Sequence, residues 1–167
     1  MLIYRLCKER YSATVLSGSG GLLADGRWHT QGRAIVYCAT SESLAVLELR
    51  VHVGNYLPRE VFVMHEIEIK DALIQSLSAT QLPDGWNAVP HSSISQAIGD
   101  DWLMQNSSAG LRVPSIHSST EFNVLLNPQH PQIHNASVQR QWQYRFDARM
   151  FVVAPVRSPP TRSKPKV

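Results

Sequence analysis

Short apolar segments with strand-like alternation recur along this chain, and helical segments separate them in no regular order. The clearest alternation spans residues 61–70, where apolar side chains and one histidine occupy every second position. A regular parallel sheet would need strands and helices to alternate strictly. The irregular order instead predicts a single α+β domain with short mixed strands and a few helices. Strands are predicted at residues 2–6, 61–70, 111–115, 121–128 and 142–146, and residues 35–39 form a further brief apolar run.

Local signals refine these elements. Pro114 cannot donate to a central ladder, so 111–115 is expected to be an edge strand, and the glycines of 17–21 predict a flexible loop. Thr40 or Ser41 is expected to cap a helix that reaches about residue 53. In such a helix Leu44, Glu48 and His52 share one face.

A second helix is expected to begin at Ser93, which has capping-box spacing to Gln96. Gly99 within it costs about 1 kcal/mol relative to alanine. A bend or break is therefore expected at this glycine.

The charge is concentrated at the end of the chain. The 167 residues carry a formal charge of +3, but residues 156–167 hold four basic residues and no acidic one. The remainder has 12 basic and 13 acidic residues and is nearly neutral. We therefore expect a folded domain over residues 1–154 and a basic, proline-rich, disordered tail over 155–167. A neutral body argues against a nuclease, which needs a basic patch on the fold.

The cysteines, histidines and apolar runs of the sequence indicate the cellular compartment and whether a metal is bound. Cys7 and Cys38 are too few for a disulfide scaffold and are not in metal-ligand spacing. His130 and His134 are spaced like a zinc pair, but Pro131 between them disfavours a helical ligand face. Charges near the N-terminus disfavour a signal peptide, and no apolar run approaches the roughly 20 residues of a membrane span. We expect a soluble, cytoplasmic protein with no metal.

One stretch brings together side chains that can bind an anion and stabilise a cation. Arg27 lies in a loop with Gly26 and Gly32, Tyr37 in the apolar run that follows, and Glu48 on the next helix. A guanidinium pairs bidentately with phosphate oxygens, and glycine lets the backbone adopt positive φ. The order of arginine, tyrosine and glutamate marks a candidate site.

These residues and several short motifs downstream resemble the RES domain family. The similarity spans about residues 2–151 and rests on the order of weak motifs: Gly26-Arg27-Trp28-His29, Tyr37, residues 44–48 with His52, Leu82-Pro83 with Trp86, Gly99-Asp100 with Trp102-Leu103, Val113-Pro114-Ser115, and Asn123 with Asn127-Pro128 and His130-Pro131. The arginine, glutamate and serine that give the family its name match Arg27, Glu48 and Ser115.

The resemblance implies a toxin of a toxin–antitoxin pair, with a core similar to ADP-ribosyltransferases and an activity that degrades NAD⁺. It also implies a partner antitoxin with an Xre-like helix-turn-helix part, through which alone DNA would be contacted, and whose C-terminal end plugs the pocket near Arg27. The sequence gives no direct sign of homodimerisation, which stays open.

Roles for the matched residues follow from the chemistry that the resemblance implies. Cleaving the nicotinamide–ribose bond leaves an oxocarbenium-like sugar that a carboxylate stabilises, and Glu48 is the candidate. Arg27 would clamp the diphosphate, and Tyr37 would pack on the nicotinamide or its ribose. Ser115 would hydrogen bond to the ribose or the diphosphate. Asn123 would orient one of these groups, and His52 would tune Glu48.

Alternatives stay open from sequence. The attacking group is water, inorganic phosphate or a protein side chain, and the last would make the protein an ADP-ribosyltransferase. A binding module that only pairs with its antitoxin is a different class. A serine hydrolase using Ser115 and His117 is disfavoured on the expectation that the two side chains point in opposite directions.

Overall fold

The computed structural model describes residues 1–152, which form one seven-stranded mixed sheet with three α-helices. The strands are β1 (Leu2–Lys8), β2 (Val36–Ala39), β3 (Phe62–Glu68), β4 (Ile74–Ser76), β5 (Gly110–Pro114), β6 (Phe122–Leu126) and β7 (Ser137–Tyr144). The helices are α1 (Ser19–Leu23), α2 (Glu42–Arg50) and α3 (Ser93–Gln105). The predicted tail at 155–167 lies outside the described residues.

The strand order is β4-β5-β6-β2-β1-β3-β7, and every pairing except β4 with β5 is antiparallel. The mid-sheet strands β1, β2, β3 and β6 are apolar and mostly buried, which is why they read as strands in the sequence. The predicted α+β domain with short mixed strands is confirmed.

Two apolar clusters fix the helices to the sheet. Leu44 and Ala45 of α2 pack with Phe62 and Met64 of β3, and all four are buried. Trp102 of α3 packs in another cluster with Trp28, Ile35, Leu111, Val113 and Leu125. Burying side chains of this size stabilises the fold by about 1.5–3 kcal/mol each.

Several local predictions are wrong, each for a physical reason. β5 is not an edge strand, because β4 pairs with its residues 110–112 and Pro114 extends beyond the end of β4. The glycine-rich 17–21 segment is not all loop, since α1 begins at Ser19 after Gly18 takes a φ of +68°. Helix α2 ends at Arg50 rather than near residue 53.

Helix α3 runs unbroken through Gly99, contrary to the expected bend. A Cβ at this position would lie 1.8 Å from the Trp28 carbonyl oxygen, so the glycine allows the helix to touch the loop that carries Arg27. The expected capping box is also wrong. Ser92 is the N-cap without a side-chain bond, and the Gln96 side chain is used elsewhere.

Candidate active site

A cleft of about 1080 Å³ opens on the sheet between the Arg27 loop and helix α2. Five of the six predicted site residues line it: Arg27, Tyr37, Glu48, His52 and Asn123. The sixth, Ser115, is buried and contacts Glu48. Residues from four separate parts of the chain therefore meet at one site.

Glu48 is held by two hydrogen bonds to one of its carboxylate oxygens. Ser115 Oγ donates to Oε1 at 3.0 Å, and Asn123 Nδ2 donates to the same atom at 2.7 Å. The side chain keeps 27% of its surface exposed in the cleft. Because both donors use Oε1, Oε2 stays free of them and is oriented for a further partner.

The first turn of α2 explains how Glu48 reaches this position. Ser41 caps the helix by accepting from Leu44 N at 3.0 Å, and its hydroxyl donates to Glu121 just before β6. Thr40 Oγ1 bonds both the backbone nitrogen and the carbonyl of Phe122. The helix start is thereby fixed to β6, the strand that carries Asn123.

His117 is a site residue that the sequence reasoning missed. Its Nε2 lies 3.7 Å from Glu48 Oε2, and its backbone nitrogen donates to Ser115 Oγ at 3.0 Å. The expectation that Ser115 and His117 point apart is wrong, because residues i and i+2 of a strand share one face, and here both residues lie beyond the end of β5 and approach the same carboxylate. At 3.7 Å the contact is longer than a hydrogen bond.

The Arg27 loop is fixed to helix α3 by polar contacts. Gln96 Nε2 donates to the Gly26 carbonyl at 3.2 Å and to the His29 carbonyl at 3.4 Å. Asp100 accepts from the backbone nitrogen and hydroxyl of Thr30 at 3.0 and 2.6 Å. Together with the Gly99 contact to Trp28, these bonds hold the loop in one conformation.

The two loop glycines serve different purposes. Gly32 has a φ of +97°, as the conformational freedom of glycine suggests. Gly26 is needed for space, because a Cβ there would lie 2.8 Å from both His29 Cε1 and the Tyr37 hydroxyl.

The Arg27 guanidinium is half-buried and anchored at one nitrogen. Its Nη1 donates to the carbonyls of Trp86 and Ala88 at 3.1 and 2.9 Å. Within residues 1–152, Nε and Nη2 have no protein acceptor. Burial lowers the pKa of Arg27, and the charge of Glu48 opposes that shift. The arginine remains charged, with donors left for an anion.

Tyr37 and His29 form a hydrogen-bonded pair beside Arg27. His29 Nε2 lies 3.0 Å from the Ala24 carbonyl, which can only accept, so Nε2 carries the proton. Nδ1 must then accept from the Tyr37 hydroxyl at 2.8 Å, while that hydroxyl accepts from Trp28 N at 3.1 Å. Burial raises the pKa of Tyr37 and lowers the pKa of His29, so both stay neutral. Because the Tyr37 hydroxyl is already bonded to Trp28 and His29, the ring is the part of this side chain that is left to contact a ligand in the cleft.

His52 lies beyond the C-terminal end of α2 and is exposed at the cleft wall. In the described part of the chain it makes no hydrogen bond to Glu48, whose neighbouring imidazole is His117. A role for His52 in the site stays a prediction.

This arrangement can stabilise a developing positive charge next to a bound anion. A positioned carboxylate, a half-buried guanidinium and an aromatic ring line one cleft. Among residues 1–152, no three histidine, cysteine, aspartate or glutamate side chains are grouped to hold a metal ion. Over the same residues, no helix is both long and apolar enough to span a membrane.

Comparison with known proteins places these residues in a family context. The RES domain family matches residues 2–147 of the chain. A "Toxin Res" of Photorhabdus laumondii is 39% identical over 151 residues, covering 90% of this chain and 97% of the relative. A "Toxin Res" of Yersinia enterocolitica is 38% identical, with 90% and 99% covered. A "Prs ADP-ribosylating toxin" of Sphingobium is 37% identical, with 84% and 89% covered.

The fold is also similar to a solved structure. A chain of the M. tuberculosis MbcT–MbcA toxin–antitoxin complex superposes with a TM-score of 0.73 at 18% identity. The superposition covers 86% of this chain and 84% of the other. At this identity the similarity concerns the fold, and it agrees with the predicted fold class.

Proposed function

We propose, since this chain belongs to the RES domain family of toxins, that it acts by consuming NAD⁺ through cleavage of the nicotinamide–ribose bond. The observation that carries the proposal is the Glu48 carboxylate, fixed through Oε1 by Ser115 and Asn123 in the cleft that Arg27 lines.

Glu48 supplies the negative charge that the reaction needs. As the bond to nicotinamide breaks, positive charge develops on the ribose ring, and nicotinamide leaves as a neutral molecule. A carboxylate already held in place stabilises that charge without reorganising during the reaction. Oε2, which accepts from neither Ser115 nor Asn123, is the atom that would face the ribose or polarise an incoming nucleophile, while those two donors keep the carboxylate oriented.

Arg27 and Tyr37 would hold the substrate. The unused guanidinium donors of Arg27 suit the diphosphate oxygens, which accept bidentate hydrogen bonds. The Tyr37 ring lines the same cleft and would give the nicotinamide or its ribose a flat apolar wall. Because the Tyr37 hydroxyl is bonded to His29 and Trp28, the ring position is fixed before a ligand enters.

Two classes of acceptor remain for the sugar. Water or inorganic phosphate would make the protein a glycohydrolase or a phosphorylase. A protein acceptor would make it an ADP-ribosyltransferase, and the name of the Sphingobium relative favours this second candidate. All of these reactions share the cleavage step and differ only in the attacking group.

We further propose that a partner antitoxin restrains the protein. The relatives carry the name of toxins, and the similar fold from M. tuberculosis was solved as a toxin–antitoxin complex. An enzyme that depletes an essential cofactor needs such restraint. An Xre-like helix-turn-helix antitoxin, which would contact DNA for the pair, is the partner that we propose, with its C-terminal end entering the cleft near Arg27.

The test is to incubate purified protein with NAD⁺, with and without inorganic phosphate, and to identify the products by chromatography and mass. Free nicotinamide with ADP-ribose indicates water as the nucleophile, and nicotinamide with ADP-ribose 1''-phosphate indicates phosphate. Intact NAD⁺ in the presence of folded protein would exclude cleavage of free NAD⁺. Label from NAD⁺ on a protein of a cell extract would then identify the transferase reaction.

A further inference from the structure

His117 is the histidine that lies beside Glu48 in the cleft. Its Nε2 is 3.7 Å from Glu48 Oε2, and 25% of its side chain stays exposed. Its backbone nitrogen donates to Ser115 Oγ at 3.0 Å, and Ser115 in turn donates to Glu48 Oε1 at 3.0 Å. The serine therefore connects the segment that carries His117 to the carboxylate.

The other histidines that line the cleft are bonded elsewhere or lie away from the carboxylate. His29 has both ring nitrogens engaged in hydrogen bonds. His91 Nε2 lies 3.2 Å from a carboxylate oxygen of Asp25. Within the described part of the chain, His52 makes no hydrogen bond to Glu48. None of these three imidazoles is placed to act together with the carboxylate.

The gap between His117 and Glu48 has the size of one hydroxyl group. At 3.7 Å the nitrogen and the oxygen are too far apart to bond each other. An oxygen atom about 2.8 Å from both would complete two hydrogen bonds. Among residues 1–152, the His117 ring has no hydrogen-bond partner, and both side-chain donors to Glu48 use its other oxygen. The two facing atoms can therefore hold one small molecule between them.

The charge of Glu48 selects the kind of molecule that fits there. At hydrogen-bond distance a carboxylate attracts a hydroxyl proton and repels an anion such as phosphate. A neutral imidazole accepts a proton, because one of its two nitrogens carries no hydrogen. Water could donate one proton to Oε2 and the other to His117 Nε2. Since Oε2 is also the atom that would face the ribose, this water would lie beside the carbon that is attacked.

We propose that His117 is the general base that accepts a proton from the attacking water. The inference rests on the proposed function and names the nucleophile for it. The water oxygen forms a bond to the anomeric carbon of the ribose. The bond from that carbon to nicotinamide breaks, and its electron pair goes to the nicotinamide nitrogen. One water proton moves to Nε2 and is then released to solvent, so the products are ADP-ribose, neutral nicotinamide and a proton.

The test compares nucleophiles in the wild type, His117→Ala, His117→Gln and the control Ser119→Ala, an exposed change in the same segment. Each protein is incubated with NAD⁺ alone, with inorganic phosphate and with azide, and the products are identified by chromatography and mass. Azide is an anion with no proton to lose, so its attack needs no base. Circular dichroism confirms that each variant is folded. If His117→Ala does not fold, His117→Gln decides the result.

With NAD⁺ alone, both His117 variants should lower the kcat for ADP-ribose formation at least about tenfold. The KM for NAD⁺ should change little, since the residue contacts the water and not the dinucleotide. Azide should restore nicotinamide release in the variants and give ADP-ribosyl azide as the second product. Ser119→Ala should behave as the wild type does with every nucleophile.

Three results would overturn the role of His117 and leave NAD⁺ cleavage in place. The first is wild-type hydrolysis by both folded His117 variants. The second is a loss that azide does not restore, which would mean that His117 only holds Glu48 in position. The third is a wild type that releases nicotinamide only when phosphate is present. A wild type that leaves NAD⁺ intact under all three conditions would contradict both this proposal and the proposed cleavage.

Discussion

Ser115 donates a hydrogen bond to Glu48, with Oγ 3.0 Å from Oε1, although 67 positions separate the two residues in the chain. The contact depends on strand pairing. Strand β6 lies between β5, which leads into Ser115, and β2, which leads into helix α2. Asn123 of β6 pairs with both Val113 and Ala39, so it stands midway and donates to the same Glu48 oxygen.

Removing one donor from Glu48 should slow NAD⁺ cleavage without unfolding the protein. A hydrogen bond to a charged group contributes about 1.5–3 kcal/mol, so Ser115→Ala and Asn123→Ala should each lower kcat/KM about tenfold to a hundredfold. The two donors share Oε1, so the double variant should lose less than the product of the single losses. Ser43→Ala, an exposed change on the same helix, is the control. Wild-type rates for both single variants would contradict a positioning role for these donors.

Helix α3 supports the Arg27 loop through a contact that excludes any side chain at Gly99. Helix propensity alone predicts that Gly99→Ala stabilises the helix by about 1 kcal/mol. The structure predicts the opposite sign, because the new Cβ would lie 1.8 Å from the Trp28 carbonyl oxygen and force the helix and loop apart. Overpacking of this kind costs about 1–3 kcal/mol.

Urea unfolding of Gly99→Ala measures this effect against Gly20→Ala in α1, where a Cβ meets nothing within 4 Å. Gly20→Ala should leave the unfolding midpoint unchanged or raise it. Equal or greater stability of Gly99→Ala would show that α3 does not press on the Arg27 loop.

His29 makes the stability of the protein depend on pH. Burial lowers its pKa in the folded state, whereas the unfolded chain takes up a proton near the ordinary value of about 6.5. The unfolded state therefore binds more protons as pH falls through that value, and stability present above it is lost. Protonation of Nδ1 would also break its bond from the Tyr37 hydroxyl.

Thermal melts at pH 7.5 and pH 5.5 measure this dependence. The melting temperature of the wild type should be lower at pH 5.5 than at pH 7.5. The decrease should be smaller for His29→Gln. His65 is also buried and its pKa is also lowered, so it contributes to the change of melting temperature with pH in the wild type. That contribution remains in His29→Gln. His134→Gln, at an exposed position, is the control. Identical slopes for wild type and His29→Gln would rule out a neutral His29.

The fold class could be predicted from the sequence because its main strands are apolar and its helices are marked by local signals. Ser41 is the N-cap that its position before α2 suggested. Strand β4 could not be found, since Ile74-Gln75-Ser76 is short, largely polar and defined only by its pairing with β5. Local rules could not predict the contacts of Gln96. Its side-chain amide does not cap the helix but donates hydrogen bonds to backbone carbonyls of the Arg27 loop, which is distant in the sequence.

The site was predicted through family motifs rather than through geometry. Resemblance placed Arg27, Glu48 and Ser115 together, and the structure shows Ser115 and Glu48 in direct contact. His117 was missed as a neighbour of Glu48 because it belongs to none of the family motifs and lies in the irregular segment after β5, whose path the sequence does not reveal.

The most direct measurement of the central claim is the rate of nicotinamide release from NAD⁺ by Glu48→Gln. Glutamine keeps the size and hydrogen-bonding ability of the side chain but removes the charge that stabilises the developing cation. Its matched control is Glu42→Gln, an exposed change in the first turn of the same helix. We predict a loss of at least about a hundredfold for Glu48→Gln and wild-type release for Glu42→Gln. Release by folded Glu48→Gln at the wild-type rate would contradict the account.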